Sequence, residues 1–72
     1  MIKVNLSRKL GELRWSQAML ARVTGIRPTT ISELYNEMAE RVSFDHLNKI
    51  CKALDCDLHD ILEYIPDENA NP

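Results

Sequence analysis

Apolar residues recur along most of the chain at the spacing of helix faces, and short polar stretches separate one run from the next. A first helix is predicted after Asn5, a suitable N-cap, with its apolar face at Leu6, Leu10 and Leu13. Ahead of it, Ile2 and Val4 alternate with polar residues, which predicts a short extended segment.

Two short helices are predicted next, separated by a tight turn. Ser16 is a good N-cap for a second helix from Gln17 to Thr24, and Gly25 supplies the left-handed residue that ends it. Pro28 suits the first position of a third helix, over about 28–36, because its φ is fixed and it has no N–H to lose. Their buried positions are predicted at Leu20, Ala21, Val23, Ile31 and Leu34.

The second half of the chain predicts two more helices. Ser43 caps a fourth helix whose core positions are Phe44, Leu47, Ile50, Cys51 and Leu54. Asp57 caps a short fifth helix, ended by Pro66, that contains Leu58, Ile61 and Leu62. The pattern therefore predicts an all-α fold of five helices, with one domain over residues 1–66 and a disordered polar tail over 67–72.

Length and composition exclude several classes of protein. A chain of 72 residues buries one small core and leaves little room for an enzyme cleft. Its sequence has no serine–histidine–acid order, glycine-rich phosphate loop or metal-binding cluster, so we predict a non-enzyme without cofactor or metal. Cys51 and Cys56 lack paired ligand spacings and predict reduced thiols. Without a membrane-length apolar run or a leader pattern, we expect a soluble, cytoplasmic protein.

The formal net charge of −2 hides a change of sign along the chain. Residues 1–42 carry seven Lys and Arg against four Glu, a balance of +3, whereas residues 43–72 carry two Lys against seven acids, a balance of −5. A basic amino-terminal part can meet phosphate while the acidic part repels it. Charge of this size is also compatible with an ordinary solvated surface.

The segment from Gln17 to Leu34 has the residues that a helix-turn-helix requires. Two short helices that cross steeply need a small residue where they approach, and Ala21 is placed for that. Gly25 tolerates the positive φ of the corner. Apolar side chains at Leu20, Ile31 and Leu34 would then lock the angle. Such a rigid unit can hold its second helix in a major groove about 12 Å wide.

These residues resemble the Cro/CI (Xre-type) family of phage and bacterial repressors, from Leu6 to about Ile65. The resemblance lies in the core Gln-x-x-Leu-Ala-x-x-x-Gly that begins at Gln17, in Ile31-Ser32-Glu33-Leu34-Tyr35-Asn36, and in Leu47-x-x-Ile50-Cys51-x-Ala53-Leu54. It implies a five-helix, lambda-repressor-like DNA-binding domain whose third helix reads double-stranded DNA. We therefore expect a transcriptional regulator that acts as a homodimer on a pseudo-palindromic operator, with a repressor favoured and an activator left open.

The resemblance also implies roles for single residues. Gln17 is similar to the family's glutamine that hydrogen-bonds a phosphate and buttresses a base-reading side chain. Thr29 and Glu33 stand where the family reads base edges, and Thr30 and Ser32 lie close enough to touch a phosphate or a thymine methyl group. Asn36 is similar to the family's phosphate-binding asparagine. Apart from the resemblance, Arg27 and Arg41 are candidate DNA contacts because their positive charges lie beside the recognition helix.

The chain departs from the family at two places. Pro28 stands where many relatives have a base-reading glutamine or serine, so one contact is missing. Glu33 is an acid that faces a polyanion; it either accepts from a cytosine amino group or pairs with Arg27 and orients it toward guanine. In the following loop, the negative charges of Glu37 and Glu40 offset the positive charge of Arg41. We therefore expect modest affinity for phosphate.

Two further expectations concern partners. The apolar carboxy-terminal part supplies the dimer surface that we predict, at Ile61, Leu62, Tyr64 and Ile65, with Ile2 and Val4 as a strand that pairs there. The alternative from another class is an antitoxin-like interaction module, whose acidic end masks a basic protein partner and for which DNA binding is secondary. A weaker alternative is a degenerate domain that has lost DNA binding.

Overall fold

A computed structural model describes residues 1–67 and divides them among two strands, four α-helices and one 3₁₀ turn. In chain order these are β1 (Ile2–Val4), α1 (Leu6–Leu13), α2 (Gln17–Thr24), α3 (Pro28–Tyr35), α4 (Phe44–Leu54), the 3₁₀ turn (Leu58–Asp60) and β2 (Leu62–Tyr64). The first four helices lie where they were predicted. Apart from Asp67, the predicted polar tail lies outside the described residues.

The predicted fifth helix, and with it the all-α class, is wrong. After a single 3₁₀ turn the chain becomes extended, and β2 pairs antiparallel with β1 in the register Ile2↔Tyr64, Lys3↔Glu63 and Val4↔Leu62. The ladder continues through the Asn5 N–H, which donates to the Ile61 carbonyl at 2.6 Å. Residues 58–65 fit a helical period, but the backbone N–H and carbonyl groups of β1 need hydrogen-bond partners, and Leu62–Tyr64 supply them.

The core lies between the four helices and the inner end of the sheet. Its fully buried side chains are Leu6, Leu10, Leu20, Ile31, Ile50 and Ile61. Three residues predicted as core are exposed instead: Leu13 by 40%, Val23 by 52% and Phe44 by 88%. Phe44 has the right helical phase, but it is the first residue of α4 and projects beyond the part of that helix that the core covers.

The helix ends mostly agree with their predicted caps. The Ser16 hydroxyl accepts from the Met19 N–H at 3.0 Å, and the Ser43 hydroxyl accepts from the His46 N–H at 3.0 Å. Asn5 precedes α1 as predicted, but its side chain does not cap the helix. Its amide donates to the Glu63 carboxylate at 3.0 Å instead, which ties α1 to β2.

Within residues 1–67, no helix is both long enough and apolar enough to cross a lipid bilayer.

Candidate DNA-binding surface

A hydrogen-bonded turn fixes the direction of α3 relative to α2. Gly25 ends α2 with φ at 75°, and its N–H donates to the Ala21 carbonyl at 2.9 Å. The Thr24 hydroxyl donates to the Leu20 carbonyl at 2.7 Å and accepts from the Ile26 N–H at 3.2 Å. Since the turn has its own hydrogen bonds and Ile26 is buried, it joins the two helices rigidly.

Apolar side chains fill the angle between α2 and α3. Leu20 and Ile31 are fully buried, and Leu34 and Ala21 are buried almost completely. The wedge predicted from the sequence is therefore confirmed. These contacts use one side of α3, so its other side is free to face a ligand.

The outer side of α3 carries the residues for which base contacts were predicted. Thr29 and Glu33, one turn apart, are exposed, and Asn36 is exposed just after the helix. Thr30 and Ser32 are half-buried on its flanks. Around α3, Gln17 is half-buried as the first residue of α2, while Arg27, at the N-cap of α3, and Arg41 are exposed.

Polar groups at the end of α3 hold one another. The Asn36 side-chain nitrogen lies 2.9 Å from the Ser32 carbonyl oxygen and 3.3 Å from the Ser32 hydroxyl. The Glu33 carbonyl accepts from the Met38 N–H at 2.8 Å. These bonds fix the chain as it leaves the helix.

Residues 5–67 match the family model of the Cro/C1-type helix-turn-helix DNA-binding domain. The chain belongs to this family. It is also similar to YozG of Bacillus subtilis (strain 168), an uncharacterized HTH-type transcriptional regulator, at 37% identity over 69 residues, which cover 96% of this chain and 82% of the relative. The resemblance drawn from the helix-turn-helix residues is confirmed.

Two basic side chains beside the helix-turn-helix, Arg27 and Arg41, are not engaged in ion pairs within residues 1–67. The ion pairs within residues 1–67 join the amino terminus to Asp67, Arg8 and Lys9 to Glu12, and Lys49 to Asp45. Neither Arg27 nor Arg41 takes part in an ion pair of this described part. In particular, Arg27 is not paired with Glu33, which lines a shallow groove with Arg41 and Glu40.

Two structural features of the Cro/C1-type domain were missed from the sequence. Thr24 was treated as the last residue of a helix, yet its hydroxyl bonds both sides of the turn. Its signal in the sequence was a β-branched hydroxyl residue directly before a helix-ending glycine. Glu37 was treated as a charge in the loop, yet its carboxylate accepts the Val4 N–H at 3.2 Å. No local sequence pattern predicts that contact, because it joins residues 33 positions apart.

The remaining chemistry-bearing groups are structural or solvent-facing. Burial, together with the neighbouring Cys51 and Asp60, raises the pKa of the Cys56 thiol to about 11, so the thiol stays protonated near neutral pH. Cys51 and Cys56 are free cysteines, and each is half-buried, not fully buried. Donor atoms of Asp57, His59 and Asp60 lie within 4.8 Å of one another, but the Asp60 carboxylate already accepts the Asp57 N–H.

Proposed function

We propose that this protein is a transcriptional repressor that binds a specific double-stranded operator by inserting α3 in the major groove. The observation that carries the proposal is the exposed pair Thr29 and Glu33 on a helix whose direction a bonded turn and a buried wedge fix. Rigid presentation matters because base edges are read only when donors and acceptors meet them in fixed geometry.

The proposed contacts divide into base-reading and phosphate-binding groups. Thr29 and Glu33 read base edges, and the Glu33 carboxylate accepts from a cytosine amino group, since it makes no ion pair within residues 1–67. The backbone-facing set is Gln17, Arg27, Thr30, Ser32, Asn36 and Arg41. Such contacts fix the register of a protein on the duplex and supply most of its affinity.

Affinity for phosphate is expected to be modest, and specificity correspondingly dependent on base contacts. Arg41 shares its groove with Glu33 and Glu40, so acids partly cancel its field. Pro28 offers no side-chain donor where relatives are expected to read a base. Because Arg27 and Arg41 are the two cationic residues of the phosphate-binding set, few counterions are released on binding, and the dependence of affinity on salt concentration is expected to be shallow compared with that of strongly basic regulators.

We propose further that the protein acts as a homodimer on a pseudo-palindromic site. A two-fold dimer would present two copies of α3 about 34 Å apart, which matches one turn of B-DNA. Each half-site then contributes its own base contacts. An operator in bacterial DNA lies in the cytoplasm. We therefore propose that the protein acts in the cytoplasm.

Selection of bound sites from random duplexes tests the proposal. The wild type is expected to enrich a two-fold motif, and Thr29→Ala to relax the preference at one or two base pairs in each half-site. Gln17→Ala is expected to weaken binding to all sites while the motif stays the same, because Gln17 contacts a phosphate. Asn48→Ala, an exposed amide on α4, is the control and should behave as wild type. Wild-type affinity in Gln17→Ala together with an unchanged enriched motif in Thr29→Ala would overturn the assignment of the surface.

An antitoxin-like module that binds a basic protein partner is the second candidate. It is supported by the balance of −5 over residues 43–72 and by Phe44, which is 88% exposed. A salt titration of DNA binding distinguishes the two: an operator binder keeps its sequence preference as salt rises, whereas a module for which DNA binding is secondary loses binding to all sequences alike. Weak binding without any preferred sequence would favour the module.

A further inference from the structure

A hydrogen-bonded side-chain pair, Ser32 and Asn36, lies at the end of α3. Asn36, the residue just after the helix, directs its side-chain nitrogen to the Ser32 carbonyl oxygen at 2.9 Å and to the Ser32 hydroxyl oxygen at 3.3 Å. The Ser32 carbonyl also accepts the Asn36 backbone N–H at 2.9 Å. Asn36 is thus tied to one residue, one turn back along the same helix.

The orientation of the Asn36 amide follows from these partners. A carbonyl oxygen only accepts hydrogen bonds, so the amide group must present its nitrogen and not its oxygen to Ser32. That nitrogen carries two hydrogens, and one can be given to each oxygen of Ser32. The Ser32 hydroxyl therefore acts as an acceptor within the protein.

A hydroxyl that accepts from Asn36 keeps its own proton. Serine inside a helix often donates that proton to the carbonyl four residues back, which would be Pro28 here. Within the described residues 1–67, the Ser32 hydroxyl donates to no protein group. Ser32 is half-buried between the buried Ile31 and the exposed Glu33, so it lies on the flank of the reading face.

We propose that Asn36 is a positioning residue that holds the Ser32 hydroxyl as a donor to a phosphate oxygen of the DNA backbone. This inference rests on the proposed function and refines one assignment within its phosphate-binding set: Asn36 acts through the Ser32 hydroxyl instead of contacting a phosphate itself. A flank position meets the wall of the groove, where phosphates lie, while the exposed crest of the helix meets base edges. The hydroxyl is neutral, so it adds a contact without adding charge.

A double-mutant cycle on the operator found by selection tests the coupling. Ser32→Ala is expected to lower affinity about tenfold for each half-site, the usual loss for one hydrogen bond to a charged group. Asn36→Ala is expected to cause a loss of similar size alone, but less than about a further twofold in the Ser32→Ala background. Two losses that multiply would mean that Asn36 makes its own contact, and would overturn the proposal.

Duplexes with a single neutral methylphosphonate linkage identify the acceptor. One linkage in each half-site should weaken wild-type binding about tenfold for each half-site, and the same linkage should leave Ser32→Ala and Asn36→Ala unaffected. Asn48→Ala should respond as wild type does. Two results would overturn the proposal: Asn36→Ala that stays sensitive at the linkage to which Ser32→Ala has become insensitive, or an altered base preference in Ser32→Ala.

Thermal unfolding of each variant separates positioning from loss of structure. A helix end that merely frays would weaken binding at all linkages and would not produce insensitivity at one of them. Failure of the wild type to bind any duplex would contradict the proposed function as well. Normal wild-type binding, with Ser32→Ala neutral, would contradict this inference alone.

Discussion

At the scale of single residues, substitution of alanine for glycine is expected to have opposite effects on stability at Gly25 and at Gly11. Gly25 has φ at +75°, whereas Gly11 lies inside α1, and an added Cβ would meet no atom within 4 Å at either position. Steric clash is therefore excluded at both sites, and backbone conformation alone decides the effect.

We expect Gly25→Ala to lower the free energy of unfolding by about 1–2 kcal/mol, because alanine pays for the left-handed conformation. Gly25→Asn should cost less, since asparagine tolerates that region. Gly11→Ala, the matched control, should raise the free energy of unfolding by about 0.5–1 kcal/mol. Urea denaturation measures all three, and a destabilised Gly11→Ala or a neutral Gly25→Ala would contradict the account.

Residues whose role is local could be predicted, and residues whose role depends on distant partners could not. Ser16, Ser43 and Gly25 act on groups within four positions along the chain, so their identity carries the signal. Phe44 has the helical spacing of a core residue, and Asn5 stands at an N-cap position. Their actual environments, solvent for Phe44 and the Glu63 carboxylate for the Asn5 amide, depend on elements distant in the chain. The proposed DNA contacts also rest on local sequence signals, and they remain predictions.

At the scale of elements, three helix ends use residues other than glycine in the left-handed conformation. Arg14, Glu37 and Asp55 have φ of 59°, 56° and 51°. In each case the next N–H bonds the carbonyl five residues back, as in the Trp15 N–H to Leu10 carbonyl bond of 2.9 Å. This is the Schellman arrangement, in which glycine is normally preferred.

Arg14→Gly is therefore expected to raise the free energy of unfolding by about 0.5–1 kcal/mol, since glycine removes the cost of positive φ but gains entropy in the unfolded chain. Glu37→Gly should gain less or nothing, because it also removes the carboxylate that accepts the Val4 N–H at 3.2 Å. Thermal unfolding compares the two. An equal gain in both variants would show that the bond from Glu37 to β1 contributes nothing.

The four helices could be predicted because their apolar faces, caps and turn residues agree with one another. The fifth element could not, since Leu58, Ile61, Leu62 and Ile65 satisfy a helical period and also supply a strand. The choice is made by β1, a segment more than fifty residues away, whose backbone pairs with Leu62–Tyr64. Long-range pairing of this kind leaves no trace in the local period.

At the scale of the whole molecule, the sheet joins the basic first half of the chain to its acidic second half. Lys3 lies opposite Glu63, and the Glu63 carboxylate accepts from Asn5. Acidic residues of the second half are thus partly engaged with the first half. The charge that remains around α3, including Arg27 and Arg41, does not enter ion pairs within residues 1–67.

The sheet also changes which residues of the predicted dimer surface can meet a partner. Ile61 is 2% exposed and belongs to the core, and β1 pairs within its own chain. The cross-strand pair Ile2 and Tyr64 stays exposed, by 61% and 67%. A second exposed apolar site consists of Phe44 and Leu58, beside a groove lined by Leu47 and both cysteines.

Sedimentation or gel filtration at micromolar concentration tests the dimer and its surface together. The wild type is expected to run as a dimer and the Tyr64→Ser variant as a monomer. The reason is that a large aromatic residue contributes much of the binding energy of a small interface. Phe44→Ser on the other apolar site is the matched control and should stay dimeric. If Phe44→Ser dissociates the protein and Tyr64→Ser does not, the dimer stands but its surface lies at α4. A monomeric wild type, both free and on the selected operator, would contradict the two-fold mode of binding, because paired half-sites would then have no paired protein to occupy them.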